Sequence, residues 1–323
     1  MQTLRLSQIS DVIGMKRHTL NARVHNMFDD KSLERTSGNN IKLYPEQIKS
    51  LINDKIISPP GKIIFIGNLK GGVGKTTLSY LLSETLSTIG LNTCIIDLDV
   101  QSNITNQYIN IEPNQKVFFD LINNEASISD IIIKLNNTLS IIPSSLKNSL
   151  IEKSLTIQSP KHYLSWFNKL FLTDLRKQFD VIVVDTPPSL STLNSVFCLS
   201  LNSSDSIVVP VCPEEFSIMG VQMFLQDVNE IRTSYSIKTD PQTIIVMNKF
   251  FQNQKTNLEV LMKMGSLFGD LLCDAVIKDS AKVREVINSK IRISNIKSGK
   301  EIYQTISELL TKLNIINVNP TEQ

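Results

Sequence analysis

The feature that most constrains this chain is a glycine-rich loop between an apolar run and a helical segment. The run Lys62–Gly67 continues into Asn-Leu-Lys-Gly-Gly-Val-Gly-Lys-Thr-Thr, and an amphipathic segment begins near Lys75. Glycines at this spacing let backbone N–H groups turn inward around phosphate oxygens, and the helix adds its positive N-terminal end. The pattern predicts a phosphate-binding loop in which Lys75 reaches the β- and γ-phosphates and the Thr76 hydroxyl binds Mg²⁺.

Strand and helix candidates alternate after this loop. The runs predicted as strands are Lys62–Gly67, Thr93–Asp97, Leu139–Pro143, Asp180–Asp185, Ser206–Pro210, Thr243–Met247 and Asp274–Ile277. Several are continuously apolar, which is typical of strands covered on both faces. The segments predicted as helices are Lys75–Ile89, Tyr163–Gln178, Ser217–Thr233, Asn257–Phe268, Ala281–Asn288 and Lys300–Leu313. This alternation predicts an α/β fold with a doubly wound, mostly parallel sheet.

Two prolines and a glycine at residues 58–61 interrupt both helices and strands, so we expect a linker there. It would separate a small helical domain at residues 1–57 from a large α/β domain at 62–315. Residues 316–323 are polar and are expected to form a tail.

Composition excludes several classes of protein. Four widely spaced cysteines without CxxC spacing indicate buried, reduced thiols rather than a disulfide framework or a zinc site. The net charge of +2 gives no global argument for nucleic-acid binding. No apolar run approaches the roughly 18 residues that span a bilayer, so a cytoplasmic location is expected.

The loop departs from the common phosphate-binding pattern in two places. Leu69 stands where that pattern has glycine, and a second lysine, Lys70, precedes the glycine pair. In this it resembles the deviant Walker A loop of the ParA/MinD family of ATPases, and the likeness extends over about residues 62–313. The resemblance implies ATP and Mg²⁺ as cofactors and a homodimer closed by ATP, in which Lys70 crosses to the partner's nucleotide. The implied phosphate contacts are Lys70, Gly71, Gly72, Val73, Gly74, Lys75, Thr76 and Thr77.

Acidic residues follow the next strand. Asp97 and Asp99 stand at its carboxyl end, where open α/β sheets bind ligands. The segment resembles the family's DxDPQxN pattern, with Val100 in place of the proline. The resemblance implies that Asp99 positions or activates the attacking water and that Asp97 lies near the metal. Two strand-end aspartates that merely cap the next segment are the alternative.

Further site residues lie later in the chain. Asp185 ends an apolar strand, and a carboxylate there can hold Mg²⁺ through water. By resemblance, Pro213 contacts the adenine base and Asn248 reads its edge. The three histidines lie far from these motifs, and no Ser-His-Asp or Cys-His arrangement competes with them.

The N-terminal segment predicts a helix, a turn at Gly14 and a second helix, followed by a wing-like continuation. Residues 1–60 hold nine Lys and Arg against six Asp and Glu. This helix-turn-helix pattern favours sequence-specific DNA binding, with the second helix in the major groove. A packing or dimerisation module is the alternative. The candidate DNA contacts are Lys16, Arg17, Thr19, Asn21 and Arg23.

A second basic stretch lies near the C-terminus. Residues 278–300 hold seven cations against two acids, which indicates either a solvated face or a salt-sensitive phosphate contact. The candidates are Lys282, Arg284, Lys290 and Arg292. The last helix has apolar residues at helical spacing but few bases, which favours docking on the domain over membrane anchoring.

Together with these patterns, the resemblance implies a partition ATPase of ParA type, with weak intrinsic hydrolysis stimulated by a centromere-binding ParB-type protein. The ATP-bound dimer would bind DNA non-specifically on the nucleoid and segregate a plasmid or chromosome. The N-terminal domain would bind an operator and repress the chain's own operon. The alternatives are a membrane-cycling positioning ATPase similar to MinD, and a metabolic enzyme built on the same loop.

Overall fold

The computed structural model describes residues 3–112, 114–151, 164, 167–290, 292, 295 and 299–317. Parts of the predictions above lie outside these ranges: the start of the helix predicted from Tyr163, the cation Lys297 and residues 318–323 of the tail. No described helix is long and apolar enough to cross a membrane.

The N-terminal segment forms three short helices and a small antiparallel sheet. Helix α1 is followed by Gly14, whose left-handed φ of +61° makes the turn into α2. The strands pair in the order β1-β3-β2. The elements are β1 (Leu4–Arg5), α1 (Leu6–Ile13), α2 (Arg17–Met27), β2 (Glu34–Arg35), β3 (Ile41–Leu43) and α3 (Pro45–Leu51).

A large sheet forms the centre of the molecule. Its eight strands in the described part are β4 (Lys62–Ile66), β5 (Thr93–Asp97), β6 (Ile133–Lys134), β7 (Leu139–Ile142), β8 (Val181–Asp185), β9 (Ser206–Val211), β10 (Gln242–Phe250) and β11 (Leu272–Lys278). They lie in the order β11-β10-β9-β4-β8-β5-β7-β6. The strands are parallel except β6, which pairs antiparallel with β7. The predicted doubly wound sheet is confirmed, with β4 and β8 at its centre.

Helices cover both faces of this sheet. They are α4 (Lys75–Thr88), α5 (Thr105–Tyr108), α6 (Phe118–Ile122), α7 (Ile128–Ile131), α8 (Thr173–Gln178), α9 (Thr192–Ser200), α10 (Glu215–Ser234), α11 (Lys255–Phe268), α12 (Ala281–Ser289) and α13 (Lys300–Lys312). A π-helical segment, Phe167–Leu172, leads into α8.

The alternation of side chains along each strand divides the core into two clusters. Ile64 and Ile66 face the cluster that contains α4, α13 and the N-terminal helices. Ile63 and Phe65 face the other cluster, which includes Phe118 and α9. All four cysteines are buried as free thiols, as predicted. Both faces of the sheet are therefore covered, which leaves its carboxyl edge as the place for a site.

The N-terminal segment packs directly on the large domain. The apolar residues of α1 and α13 share one core cluster, and the Lys49 ammonium lies 2.6 Å from the Asp180 carboxylate. The apolar face predicted for the last helix is buried. A Cβ added at Gly90 would lie 2.2 Å from the carbonyl oxygen of Pro45, so only glycine allows this approach of α3 to α4.

The segment predicted as a linker is held at both ends. The N–H of Ile57 donates to the carbonyl of Ile315 at 2.9 Å, and the N–H of Gly61 donates to the carbonyl of Asp180 at 2.9 Å. The carbonyl of Gly61 also accepts a hydrogen bond from Arg176 at 2.6 Å. These bonds fix the chain as it enters β4.

Candidate functional site

The glycine-rich loop leaves β4 at the centre of the sheet and turns into α4. Gly72 and Gly74 have φ of +74° and +92°, a region that suits glycine. A Cβ added at Gly74 would lie 2.0 Å from Nδ2 of Asn248. The predicted loop is therefore present at the carboxyl edge of the strands, where α/β sheets bind ligands.

Lys75 lies inside this loop. Its buried ammonium donates to the carbonyl of Lys70 at 3.1 Å. Burial lowers the pKa of Lys75, and the nearby Asp185 and Asp99 oppose that shift. The ammonium thus lies where the loop would surround phosphate oxygens. Thr76 and Thr77 follow on the first turn of α4, both half-buried.

Asp185 is brought to the loop by β8, which is paired with β4. Its carboxylate accepts hydrogen bonds from Thr76 Oγ1 at 2.9 Å and from Ser79 Oγ at 2.8 Å. Complete burial raises the pKa of Asp185 above its ordinary value. Two of the residues predicted to lie at the metal, Thr76 and Asp185, are therefore in direct contact.

Asp97 and Asp99 lie beside this pair, because Asp97 is in register with Asp185 across β5 and β8. Asp97 is fully buried and accepts hydrogen bonds from the N–H and hydroxyl of Thr105 and from the N–H of Asp99. Burial and the neighbouring Asp185 raise the pKa of Asp97. Asp97 therefore anchors the loop that carries Asp99, whose own carboxylate accepts from the N–H of Gln101 at 3.0 Å.

The oxygen donors at this edge fit Mg²⁺, which takes oxygen ligands and keeps several waters. Thr76 and Asp185 offer a hydroxyl and a carboxylate at one point. Among the described residues, no group of three or more His, Cys, Asp or Glu side chains could hold a metal by itself. The edge therefore suits an ion held by one or two protein oxygens together with phosphate oxygens.

The second lysine of the loop lies on the surface. The Lys70 ammonium forms an ion pair with Glu214 of the same chain, just before α10. Its N–H donates to Oδ1 of Asn68 at 2.9 Å. Glu214 is a partner that the sequence analysis missed, since 144 residues separate it from Lys70. The half-buried Pro213 precedes it.

The end of β10 contacts the loop from the other side. The Asn248 amide, predicted to read adenine, donates to the carbonyl of Val73 at 2.7 Å. Its neighbour Lys249 donates to the carbonyl of Gly72 at 2.8 Å. Sequence reasoning missed Lys249, although its place at the carboxyl end of a predicted strand could have drawn attention to it.

The predicted DNA contacts of α2 do not all share one surface. Arg17 and Asn21 line a groove between α2 and the β2–β3 hairpin, whereas Lys16 faces a cavity beside α13 and Thr19 is half-buried. Arg23 makes a two-point ion pair with Asp54 at 2.8 and 3.0 Å. Two further arginines and two histidines line the groove: Arg5, Arg35, His18 and His25. The groove therefore excludes Lys16 and Arg23.

The C-terminal basic candidates are also divided. Lys282, Arg284 and Lys290 are exposed on or beside α12, and Arg284 pairs with Asp279. Arg292 is half-buried, and its charge acts on the buried Tyr80 by lowering that residue's otherwise raised pKa. Arg292 therefore lies close to the interior, unlike the other three.

Comparisons with known proteins identify relatives of this chain. The family model of the AAA domain matches residues 61–242. An uncharacterized protein of Methanocaldococcus jannaschii is 32% identical over 234 residues, which cover 69% of this chain and 86% of the relative. The sporulation initiation inhibitor protein Soj of Bacillus subtilis is 29% identical over 230 residues, covering 70% of this chain and 87% of Soj.

Two solved structures share the fold. An ATP complex of a Cyanothece McdA variant has a TM-score of 0.69 and 20% identity, covering 80% of this chain and 98% of McdA. A Borrelia burgdorferi plasmid partition protein bound to AMPPNP has a TM-score of 0.62 and 22% identity, covering 79% of this chain and all of the other. Because the phosphate loop carries the extra lysine and the family model matches, the chain belongs to the ParA/MinD-type family of P-loop ATPases.

Proposed function

We propose that this chain is a partition ATPase of ParA type, which dimerises on ATP and Mg²⁺ and binds DNA non-specifically to segregate a plasmid or chromosome. The observation that carries the proposal is the pair of lysines, Lys70 and Lys75, on one phosphate loop. Lys75 is held inside the loop, whereas Lys70 reaches the surface. One ammonium serves the chain's own nucleotide, and the other is available to a second subunit.

The surface beside Lys70 supports a dimer. Helix α10 begins next to Glu214, the partner of Lys70, and its exposed side carries Phe216, Met219 and Met223. These side chains are 78%, 57% and 52% exposed, and their spacing puts them on one side of the helix. A second copy that brings its own loop to Lys70 would cover this apolar surface.

Hydrolysis depends on residues at the same edge. Asp99 positions the attacking water, and Asp97 fixes the Asp99 loop through Thr105. Lys75 and Lys70 stabilise the charge that develops on the transferred phosphoryl group. The metal-binding candidates are Thr76 and Asp185, together with Asp97, which lies beside Asp185. The bound metal supplies charge neutralisation at the phosphates.

Two surfaces are proposed to bind DNA. The N-terminal domain, which we place at residues 1–57, contacts operator DNA through Arg17 and Asn21 in the groove of α2. The exposed Lys282, Arg284 and Lys290 make phosphate contacts in the ATP-bound dimer. A ParB-type protein that binds the centromere stimulates hydrolysis and thereby releases the dimer from DNA. The chain is cytoplasmic, and its DNA-bound form is associated with the nucleoid.

The test is a DNA pull-down at several salt concentrations with ATP, ADP or no nucleotide. We expect DNA retention with ATP only, falling steeply as salt rises. Liposome co-sedimentation is run in parallel, because retention on vesicles without DNA affinity would favour the membrane-cycling alternative. The burial of the apolar face of α13 speaks against that alternative.

The cross-subunit role of Lys70 has its own experiment. Lys70→Ala should remove ATP-dependent dimerisation in analytical ultracentrifugation while the monomer keeps its fold. A dimer of unchanged affinity would refute this role. Lys255→Ala is the control, since that lysine is highly exposed on α11 and pairs only weakly with Glu259 at 3.7 Å.

A further inference from the structure

The phosphate loop is held from outside by the end of strand β10. In a loop whose N–H groups converge on an anion, the carbonyl groups point away and need other donors. Two successive carbonyls receive such donors here. The Lys249 ammonium donates to Gly72 at 2.8 Å, and the Asn248 amide donates to Val73 at 2.7 Å.

The backbone at Lys249 is shaped for this contact. Its φ is +54°, a left-handed conformation that residues other than glycine and asparagine seldom adopt. The pairing of β10 with β11 shifts register between Met247 and Phe250, so an irregularity of the strand lies at this residue. Irregular strand ends and unfavourable backbone conformations of this kind concentrate at functional sites, where they direct a side chain.

Lys249 and Lys70 both act on the thiol of Cys212: burial raises the pKa of this thiol, and the two cations oppose that shift. Lys75 occupies the inside of the loop. Two ammonium groups therefore hold carbonyl groups of the loop: Lys75 from inside the loop, at Lys70, and Lys249 from strand β10, at Gly72.

We propose that Lys249 is a positioning residue for nucleotide binding: by bonding the Gly72 carbonyl, beside the Asn248–Val73 bond, it keeps the loop's N–H groups turned inward before a nucleotide arrives. The inference rests on the proposed nucleotide site and adds a residue to it. Because the loop's N–H groups contact the phosphates that ADP and ATP share, the clamp serves both nucleotides equally.

The test compares Lys249→Met, Lys249→Arg and the surface control Lys255→Met by calorimetry with Mg·ADP and Mg·ATP. Loss of one charge-assisted hydrogen bond at a partly exposed site should weaken both nucleotides by roughly three- to tenfold. Arginine, which keeps the charge and the donors, should restore most of the affinity. In the absence of nucleotide, hydrogen exchange of the amides of residues 71–74 should be faster in Lys249→Met, with its Tm within a few degrees of the parent.

Three results would overturn the inference. Unchanged affinity in Lys249→Met would remove any role, and a loss confined to ATP would indicate a γ-phosphate contact. A lower Tm without faster exchange in the loop would indicate a general structural role. If the unaltered chain itself bound neither nucleotide, the proposed function would fail instead, so the two failures are distinguishable.

Discussion

Replacement of Gly74 by alanine tests whether the loop's shape depends on the contact with β10. Gly74 has φ of +92°, and its added Cβ would lie 2.0 Å from Nδ2 of Asn248 and 3.3 Å from Cγ of the same side chain. The Asn248 side chain must therefore move. Because that amide donates to the carbonyl of Val73, the movement breaks a buried hydrogen bond.

The cost follows from two terms. A left-handed conformation costs a non-glycine residue about 1–2 kcal/mol, and a buried carbonyl left without its donor costs about 1–3 kcal/mol. Gly74→Ala should therefore lower the free energy of unfolding by about 2–5 kcal/mol. Gly72→Ala carries only the first term, since no atom lies within 4 Å of its added Cβ. Gly71→Ala carries neither, because its added Cβ also meets nothing and its φ is not positive.

Urea unfolding without nucleotide measures this series, because bound phosphate would add contacts at Gly71. We expect the parent and Gly71→Ala to be about equally stable, Gly72→Ala to be less stable and Gly74→Ala to be the least stable. Equal stability of Gly71→Ala and Gly74→Ala would refute the argument that the Asn248 contact dictates glycine.

Three further predictions concern charge, DNA and packing. Burial raises the pKa of Asp185 in the folded state above its value in the unfolded chain. Between these two pKa values the folded state holds a proton that the unfolded state has released, so the free energy of unfolding falls as pH rises. Asp185→Asn should therefore raise the free energy of unfolding at neutral pH by about 1–2 kcal/mol, flatten its pH dependence in urea titrations and abolish Mg²⁺-dependent hydrolysis. Arg17→Ala should weaken operator binding in fluorescence anisotropy without loss of stability. Arg23→Ala should cost about 1 kcal/mol of stability, because Arg23 pairs with Asp54. Weaker operator binding in Arg23→Ala, with a loss of stability in Arg17→Ala, would contradict the proposal that the groove binds DNA. Phe197→Ala should cost about 3–5 kcal/mol, since its ring packs 4.3 Å from that of Phe167 in the core, and a loss below 1 kcal/mol in urea unfolding would contradict this.

The sequence predicted the elements whose periodicity is strong. The strand at Thr93–Asp97 has the predicted limits, and the helix predicted as Lys75–Ile89 ends one residue earlier. Helix α9 was missed because it is buried on most sides, so its sequence shows no polar face. The strands of two residues, such as β6, are too short to give a period.

The candidate site was predictable only where it follows strand ends. Asp99 and Asp185 could be placed because parallel strands bring their carboxyl ends to one edge. The contact of Lys249 with Gly72 joins residues 177 positions apart, and it depends on a local irregularity of β10. No pattern in one sequence encodes such a contact, since it results from how the strands and loop meet.

The common core of α1 and α13 has a consequence for how this chain can be dissected. The first 57 residues supply side chains such as Ile9 and Ile13 to the cluster that also holds Leu309 and Leu310. Deletion of these residues would expose an apolar surface on the α/β domain, which would then aggregate or misfold. The segment proposed to bind operator DNA and the domain that carries the phosphate loop therefore share one core, and any movement of that domain on the proposed dimerisation would carry the segment with it.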